Sequence, residues 1–189
     1  SERTMCTFLG TAGKINDQDI DTNVVKNAEI TFLEGYLWDE GEPKKAFEKA
    51  INNSNKVAMT LSDLFCVERH KDQFLDLVKN KLDIIFANEQ EILSLINSKS
   101  FEDVISFSKN LKRHIVITRG SNGAIAINGN EVFECSAQKK LQITDLTGAG
   151  DLFAAGYLHG YINQFSTKEC LEKGTELSSK IIQKLGARI

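Results

Sequence analysis

Proline is nearly missing from this sequence, with Pro43 the single instance, and no low-complexity or repeated tract interrupts it. No interior linker therefore divides the chain, and its 189 residues suit one α/β domain with a sizeable core. The four cysteines (Cys6, Cys66, Cys135, Cys170) include no Cys-x-x-Cys pair. Cysteines scattered this way pack as small apolar groups rather than form disulfides, and a cytoplasmic compartment is expected. The three histidines (His70, His114, His159) lack metal-ligand spacing, which argues against a zinc site. No apolar run reaches membrane-spanning length, so a membrane is not expected among the partners. A signal peptide is missing too, and the first residue is Ser1, so the natural N-terminus is expected to lie outside this stretch. Positive charge is in slight deficit, with a net charge of −3. Nucleic acid needs a basic face and is not an expected partner. The densest basic cluster, Lys109–Lys112–Arg113, reads as a solvated helix end.

Three catalytic signatures are also missing. There is no Gly-x-x-x-x-Gly-Lys-Ser/Thr phosphate loop, no Gly-x-Gly-x-x-Gly dinucleotide fingerprint and no Gly-x-Ser-x-Gly nucleophile elbow. A flavin or nicotinamide oxidoreductase on a doubly wound sheet therefore lacks its mark.

What is present is an alternation of strands and helices. Apolar, β-rich runs at 3–9, 29–35, 56–61, 83–87 and 113–118 predict strands. Amphipathic spacing predicts helices over 40–53, 67–79, 88–96 and about 100–111. Such a rhythm argues for βαβ units and a parallel sheet covered on both faces. After Thr118 the pattern changes: 123–127 and 131–136, joined through Asn128-Gly129-Asn130, predict a β-hairpin. A short strand at Leu141–Ile143, a helix from about Ala149, and a last helix opened by the Ser166–Glu169 capping box and running to about Leu185 complete the reading. The polar stretch 11–28, with Asp17, Asp19 and Asp21, lacks the Gly and Glu of a calcium loop and reads as solvated.

In an open α/β sheet, ligands bind beyond the carboxyl ends of the strands, and three predicted strand ends carry suggestive residues. After the 83–87 strand come Asn88 and Glu91, three apart. Their oxygens suit a hydrated Mg²⁺ with bridging phosphates, and they equally suit a helix cap with first-turn acids. After the 113–118 strand comes Arg119-Gly120-Ser121-Asn122-Gly123, a glycine-bearing loop that fits against a nucleotide and is also an ordinary loop composition. The third end is Asp145-Leu146-Thr147-Gly148-Ala149-Gly150-Asp151. Its glycine turn would aim the N–H groups of a helix start at one spot, which attracts phosphate or developing negative charge. Asp151 there reads either as a first-turn acid that stabilises the helix or as a base for a substrate hydroxyl. Together the three ends supply the parts of phosphoryl transfer.

In these residues the sequence resembles the PfkB, or ribokinase-like, carbohydrate kinases. Asp145–Asp151 is similar to that family's C-terminal signature, Asn88–Glu91 to its Asn-x-x-Glu motif, and Thr118, Gly120 and Gly123 to its nucleotide loop. Arg3-Thr4-Met5, Phe32–Tyr36, Leu61-Ser62-Asp63 and Gly186-Ala187-Arg188 further resemble the adenosine-kinase branch. The resemblance implies a three-layer αβα fold whose sheet is mostly parallel with a hairpin near its C-terminal part. It also implies transfer of the γ-phosphoryl of ATP to a sugar or nucleoside hydroxyl, with Mg²⁺ and a monovalent cation such as K⁺. Asp151 would be the base and Gly148, Ala149 and Gly150 the anion hole. Asn88 and Glu91 would help hold Mg²⁺ and phosphates; Thr118, Arg119, Gly120, Ser121 and Gly123 would line the nucleotide; Asp145 and Thr147 would face the monovalent ion. Leu146 departs from the usual Thr, Val or Pro. The family's N-terminal half, with its substrate-binding Asp and β-sheet lid, has no counterpart here. The chain is thus expected to be the nucleotide-side portion of a longer kinase, homodimeric at full length. A catalytically silent nucleotide-binding module of the same fold is the alternative.

Overall fold

The computed structural model describes residues 6–38 and 41–189. Short 3₁₀ turns precede α1 (Thr22–Asn27), which Asp21 caps by accepting from the Asn23 and Val24 N–H groups. The alternation then runs β1 (Thr31–Glu34), α2 (Glu42–Asn53), β2 (Val57–Thr60), α3 (Leu64–Arg69), α4 (Lys71–Asn80), β3 (Ile84–Asn88), α5 (Glu89–Ile96), α6 (Phe101–Leu111) and β4 (His114–Thr118). The hairpin strands β5 (Ala124–Asn128) and β6 (Glu131–Cys135) follow, then α7 (Ala149–Ile162) and α8 (Thr167–Ile181). One mixed sheet takes the six strands in sequence order, with β1–β2 and β2–β3 parallel. Every residue from Ile84 to Ala87, Ile115 to Ile117 and Ala124 to Ile127 is buried, so these strands have no solvent face. β1 and β6, at the two ends of the order, are only partly buried.

The chain divides into two compact units. One holds Thr7–Ile115 with Asn128–Asn130; the other, among the described residues, holds Cys6, Val116–Ile127 and Glu131–Ile189. In the first, Ala46, Phe47 and Ala50 of α2 and Phe74 and Val78 of α4 are buried as the spacing predicts. Ile51 and Leu75, expected inward with them, are only part-buried, and Leu77 is buried in their company. In the second, α7 and α8 approach closely through glycine. A Cβ on Gly156 would lie 2.7 Å from the Lys173 carbonyl, and one on Gly174 would lie 2.8 Å from that of Phe153.

Three expectations change. The strand predicted at 3–9 lies outside the described residues over 3–5, and Cys6–Leu9 has no regular structure, with Phe8 almost fully exposed. The helix predicted over 67–79 is two helices, α3 and α4, broken at His70. Asp63 starts α3 early by accepting from the Cys66 N–H at 2.7 Å. Leu141–Ile143 forms no strand. The donors just beyond it, the N–H groups of Thr144 and Asp145, go to the Ile182 carbonyl at the end of α8 (2.8 and 3.2 Å) rather than to a ladder. Cys66 and Cys170 are buried and in no disulfide, whereas Cys6 is exposed. Among the described residues, no helix is long and apolar enough to cross a membrane.

Candidate active site

In the first unit, the carboxyl ends of three parallel strands come together. β3 ends on Asn88, which caps α5 in a reciprocal box. Asn88 N–H donates to Glu91 Oε2 (2.8 Å), Asn88 Nδ2 to Glu91 Oε1 (2.6 Å), and Glu91 N–H to Asn88 Oδ1 (2.9 Å). The cap holds the Glu91 carboxyl inside, only 4% exposed. Burial pushes that carboxyl up to about 7; the Asn88 N–H works against the rise and the charge of Asp63 adds to it. The sequence left ion holding and helix capping open for this pair, and the capping geometry is present.

Beyond β2, Ser62 adopts a left-handed conformation (φ 72°), and beyond β1 comes Gly35. A Cβ on Gly35 would meet the Thr60 and Leu61 carbonyls at 3.0 and 3.1 Å, so glycine lets the two strand ends close together. Tyr36 donates its N–H to Ser62 Oγ (3.2 Å) and its hydroxyl to the Ser62 carbonyl (3.3 Å). Burial, with the charge of Asp63 adding, pushes the Tyr36 phenol up to about 12. Tyr36, Ser62 and Asp63 were seen in the sequence only as parts of a resemblance. Their position directly after predicted strands was the signal that could have marked them as site residues.

In the second unit, the loop after β4 closes on itself: Arg119 N–H donates to the Gly123 carbonyl (2.8 Å) and Gly123 N–H to that of Gly120 (3.1 Å). Gly123 has φ 91°, and a Cβ there would fall 2.0 Å from the Cys135 carbonyl, so no side chain fits. Gly120, also left-handed (φ 55°), faces open space, and Ser121 is exposed. Thr118, Arg119, Gly120, Ser121 and Gly123 thus form one compact turn.

The same unit carries the Asp145–Asp151 turn. Asp145 Oδ1 accepts from the Thr147 N–H (2.9 Å) and hydroxyl (2.7 Å), and Oδ2 accepts from the Gly186 N–H (3.0 Å). Gly148 makes a left-handed corner (φ 79°) and caps α7. Ala149 N–H donates to the Leu146 carbonyl (3.2 Å), and Leu152 N–H to that of Gly148 (2.9 Å). The N–H groups of Gly150 and Asp151 are left at the helix start without an intrahelical acceptor. Both residues are exposed, and a Cβ on Gly150 would touch nothing within 4 Å. Donors, the positive end of the α7 dipole and a carboxylate thus share one accessible point.

Among the described residues, no group of three or more His, Cys, Asp or Glu could hold a metal ion. Glu91 already uses both oxygens on Asn88. The residues present therefore fit Mg²⁺ only as a hydrated ion carried on phosphates, the manner in which Mg²⁺ is commonly held.

The family described as pfkB family carbohydrate kinase matches residues 1–189. An adenosine kinase of Dictyostelium discoideum is 26% identical over 207 residues, covering 100% of this chain and 61% of its own. A cytidine kinase of Thermococcus kodakarensis is 30% identical over 120 residues, covering 62% of this chain and 43% of its own. The crystal structure of adenosine kinase from Sinorhizobium meliloti superposes with a TM-score of 0.90 at 34% identity, covering 94% of this chain and 56% of that one. The chain spans about half the length of the proteins it matches.

Proposed function

The chain belongs to the pfkB family of carbohydrate kinases, and from that membership we propose that the full-length protein transfers the γ-phosphoryl of ATP to a hydroxyl of a sugar or nucleoside. The observation that carries the reading is the Asp145–Asp151 turn, where a carboxylate and unpartnered N–H groups occupy one exposed helix start. Asp151 accepts the proton of the acceptor hydroxyl as its oxygen attacks the γ-phosphorus in line with the leaving ADP oxygen. The anion hole lies at Gly148, Ala149 and Gly150. Gly148 supplies the corner, Ala149 fixes the turn through Leu146, and the Gly150 and Asp151 N–H groups face the transferring oxygens.

Thr118, Arg119, Gly120, Ser121 and Gly123 line the nucleotide, a role supported by the open space over Gly120 and the rigid corner at Gly123. Asn88 and Glu91 would hold Mg²⁺ through water, and the ion would supply neutralisation of charge on the phosphates. A monovalent cation such as K⁺ belongs beside Asp145 and Thr147, and replacing K⁺ by tetramethylammonium in the assay checks it. Similarity to adenosine and cytidine kinases supports a nucleoside or ribose-like acceptor.

The test is ADP formation by the full-length protein with Mg·ATP across a panel of nucleosides and sugars. Saturable ADP formation with a nucleoside or ribose-like acceptor, lost without Mg²⁺, is the expected result. Nucleotide binding with no ADP formed from any acceptor would instead identify a silent nucleotide-binding module.

A further inference from the structure

The proposed chemistry does not use the segment 182–188, yet hydrogen bonds from the 144–148 turn reach Ile182 and Gln183, and Gly186 donates back to that turn. The Thr144 and Asp145 N–H groups both donate to the Ile182 carbonyl, and the Thr144 hydroxyl donates to the Gln183 carbonyl (3.3 Å). The Gly186 N–H donates to Asp145 Oδ2, and Asp145 Oδ1 holds Thr147. A Cβ on Gly148 would lie 3.0 Å from the Ala187 Cβ, so the strap lies directly on the corner that opens α7. Gly186 itself is left-handed (φ 86°), with nothing within 4 Å of where a Cβ would stand. Its glycine is therefore required by backbone conformation rather than by space.

We propose that Gly186 is a positioning residue: its N–H bond to Asp145 latches the strap at 182–188 onto the 144–148 turn and fixes where the Gly150 and Asp151 N–H groups point. The inference rests on the proposed phosphoryl transfer for its catalytic consequence but not for its structural one. The latch acts on the transition state and not on ATP affinity, because it sets the direction of donors that meet charge only as the phosphoryl group moves.

The test uses the full-length protein with Gly186→Val, which disfavours a left-handed backbone, and Gly186→Asn, which tolerates it. The expected result is a fall in kcat of tenfold or more for Gly186→Val, assayed well below a thermal midpoint that backbone strain lowers, with KM for ATP within twofold. Gly186→Asn restores kcat to within about threefold of wild type, and Lys184→Ala, on the same segment, changes neither constant. Amide hydrogen exchange over 144–151 is measured in parallel and rises in Gly186→Val alone. Wild-type kcat in Gly186→Val, or equal losses in the Val and Asn variants, would overturn the proposal. If the wild-type protein transfers no phosphoryl group, the reading of function fails, while the exchange measurement still decides the latch. Exchange unchanged in Gly186→Val sinks the latch whatever the activity.

Discussion

Three carboxylates show how little a residue's type settles and how much its surroundings do. Asp145 holds Thr147 and Gly186, Glu91 is buried and closed onto Asn88, and Asp151 stands exposed on the first turn of α7. Glu91 and Asp151 were candidates in the sequence because each follows a predicted strand or glycine turn, and Asp145 was one through the family resemblance. Which of them stays available was not legible, since hydrogen-bond closure depends on backbone that turns elsewhere: Gly186 lies 41 residues from Asp145. Gly123 makes the point for backbone. Its φ of 91° and the 2.0 Å approach to the Cys135 carbonyl leave a methyl group nowhere to go. Gly123→Ala is expected to destabilise the protein by more than about 2 kcal/mol, read as a lower urea midpoint with unchanged slope. An unchanged midpoint would mean that the corner relaxes freely.

At the level of elements, most of the alternation was readable because buried strands and amphipathic helices carry their periods locally. The Leu141–Ile143 strand was not, because the acceptor that takes the next two N–H groups, the Ile182 carbonyl, sits at the end of a helix some 40 residues later. The α3–α4 break escaped for a similar reason: the stripe continues across it, and only the Asp63 cap shows where the first helix starts. The α7–α8 contact gives opposite expectations for two glycines of one helix. Gly156→Ala would place a methyl 2.7 Å from the Lys173 carbonyl and 2.9 Å from Gly174 Cα, and is expected to cost about 1–3 kcal/mol by overpacking. Gly150→Ala meets nothing within 4 Å in a helical turn and is expected to add about 0.5–1 kcal/mol of stability. Denaturant unfolding of the two variants side by side checks the pair; a shared sign would refute the packing account.

On the scale of the whole molecule, the chain matches the pfkB family over residues 1–189 and spans about half the length of its relatives. One ionisable group that the proposed chemistry does not use is expected to shape acid stability. Burial, helped by the charge of Lys56, pulls the His114 imidazole down to about 4. The unfolded chain binds this proton below about 6.5 and the folded chain does not, so the contribution is complete above pH 6.5 and is lost as pH falls towards 4. His114→Gln is expected to flatten the fall in unfolding free energy between pH 6.5 and 4.5, measured by urea titration of the full-length protein; an unaltered slope would mean that His114 does not drive it. The central claim remains the role of Asp151 at the start of α7. Its most direct test is steady-state turnover of Asp151→Asn in the full-length protein beside direct titration with Mg·ATP. Loss of the base predicts a kcat lower by about 10²–10⁴-fold with nucleotide affinity nearly unchanged, and a variant that keeps wild-type kcat would contradict the account.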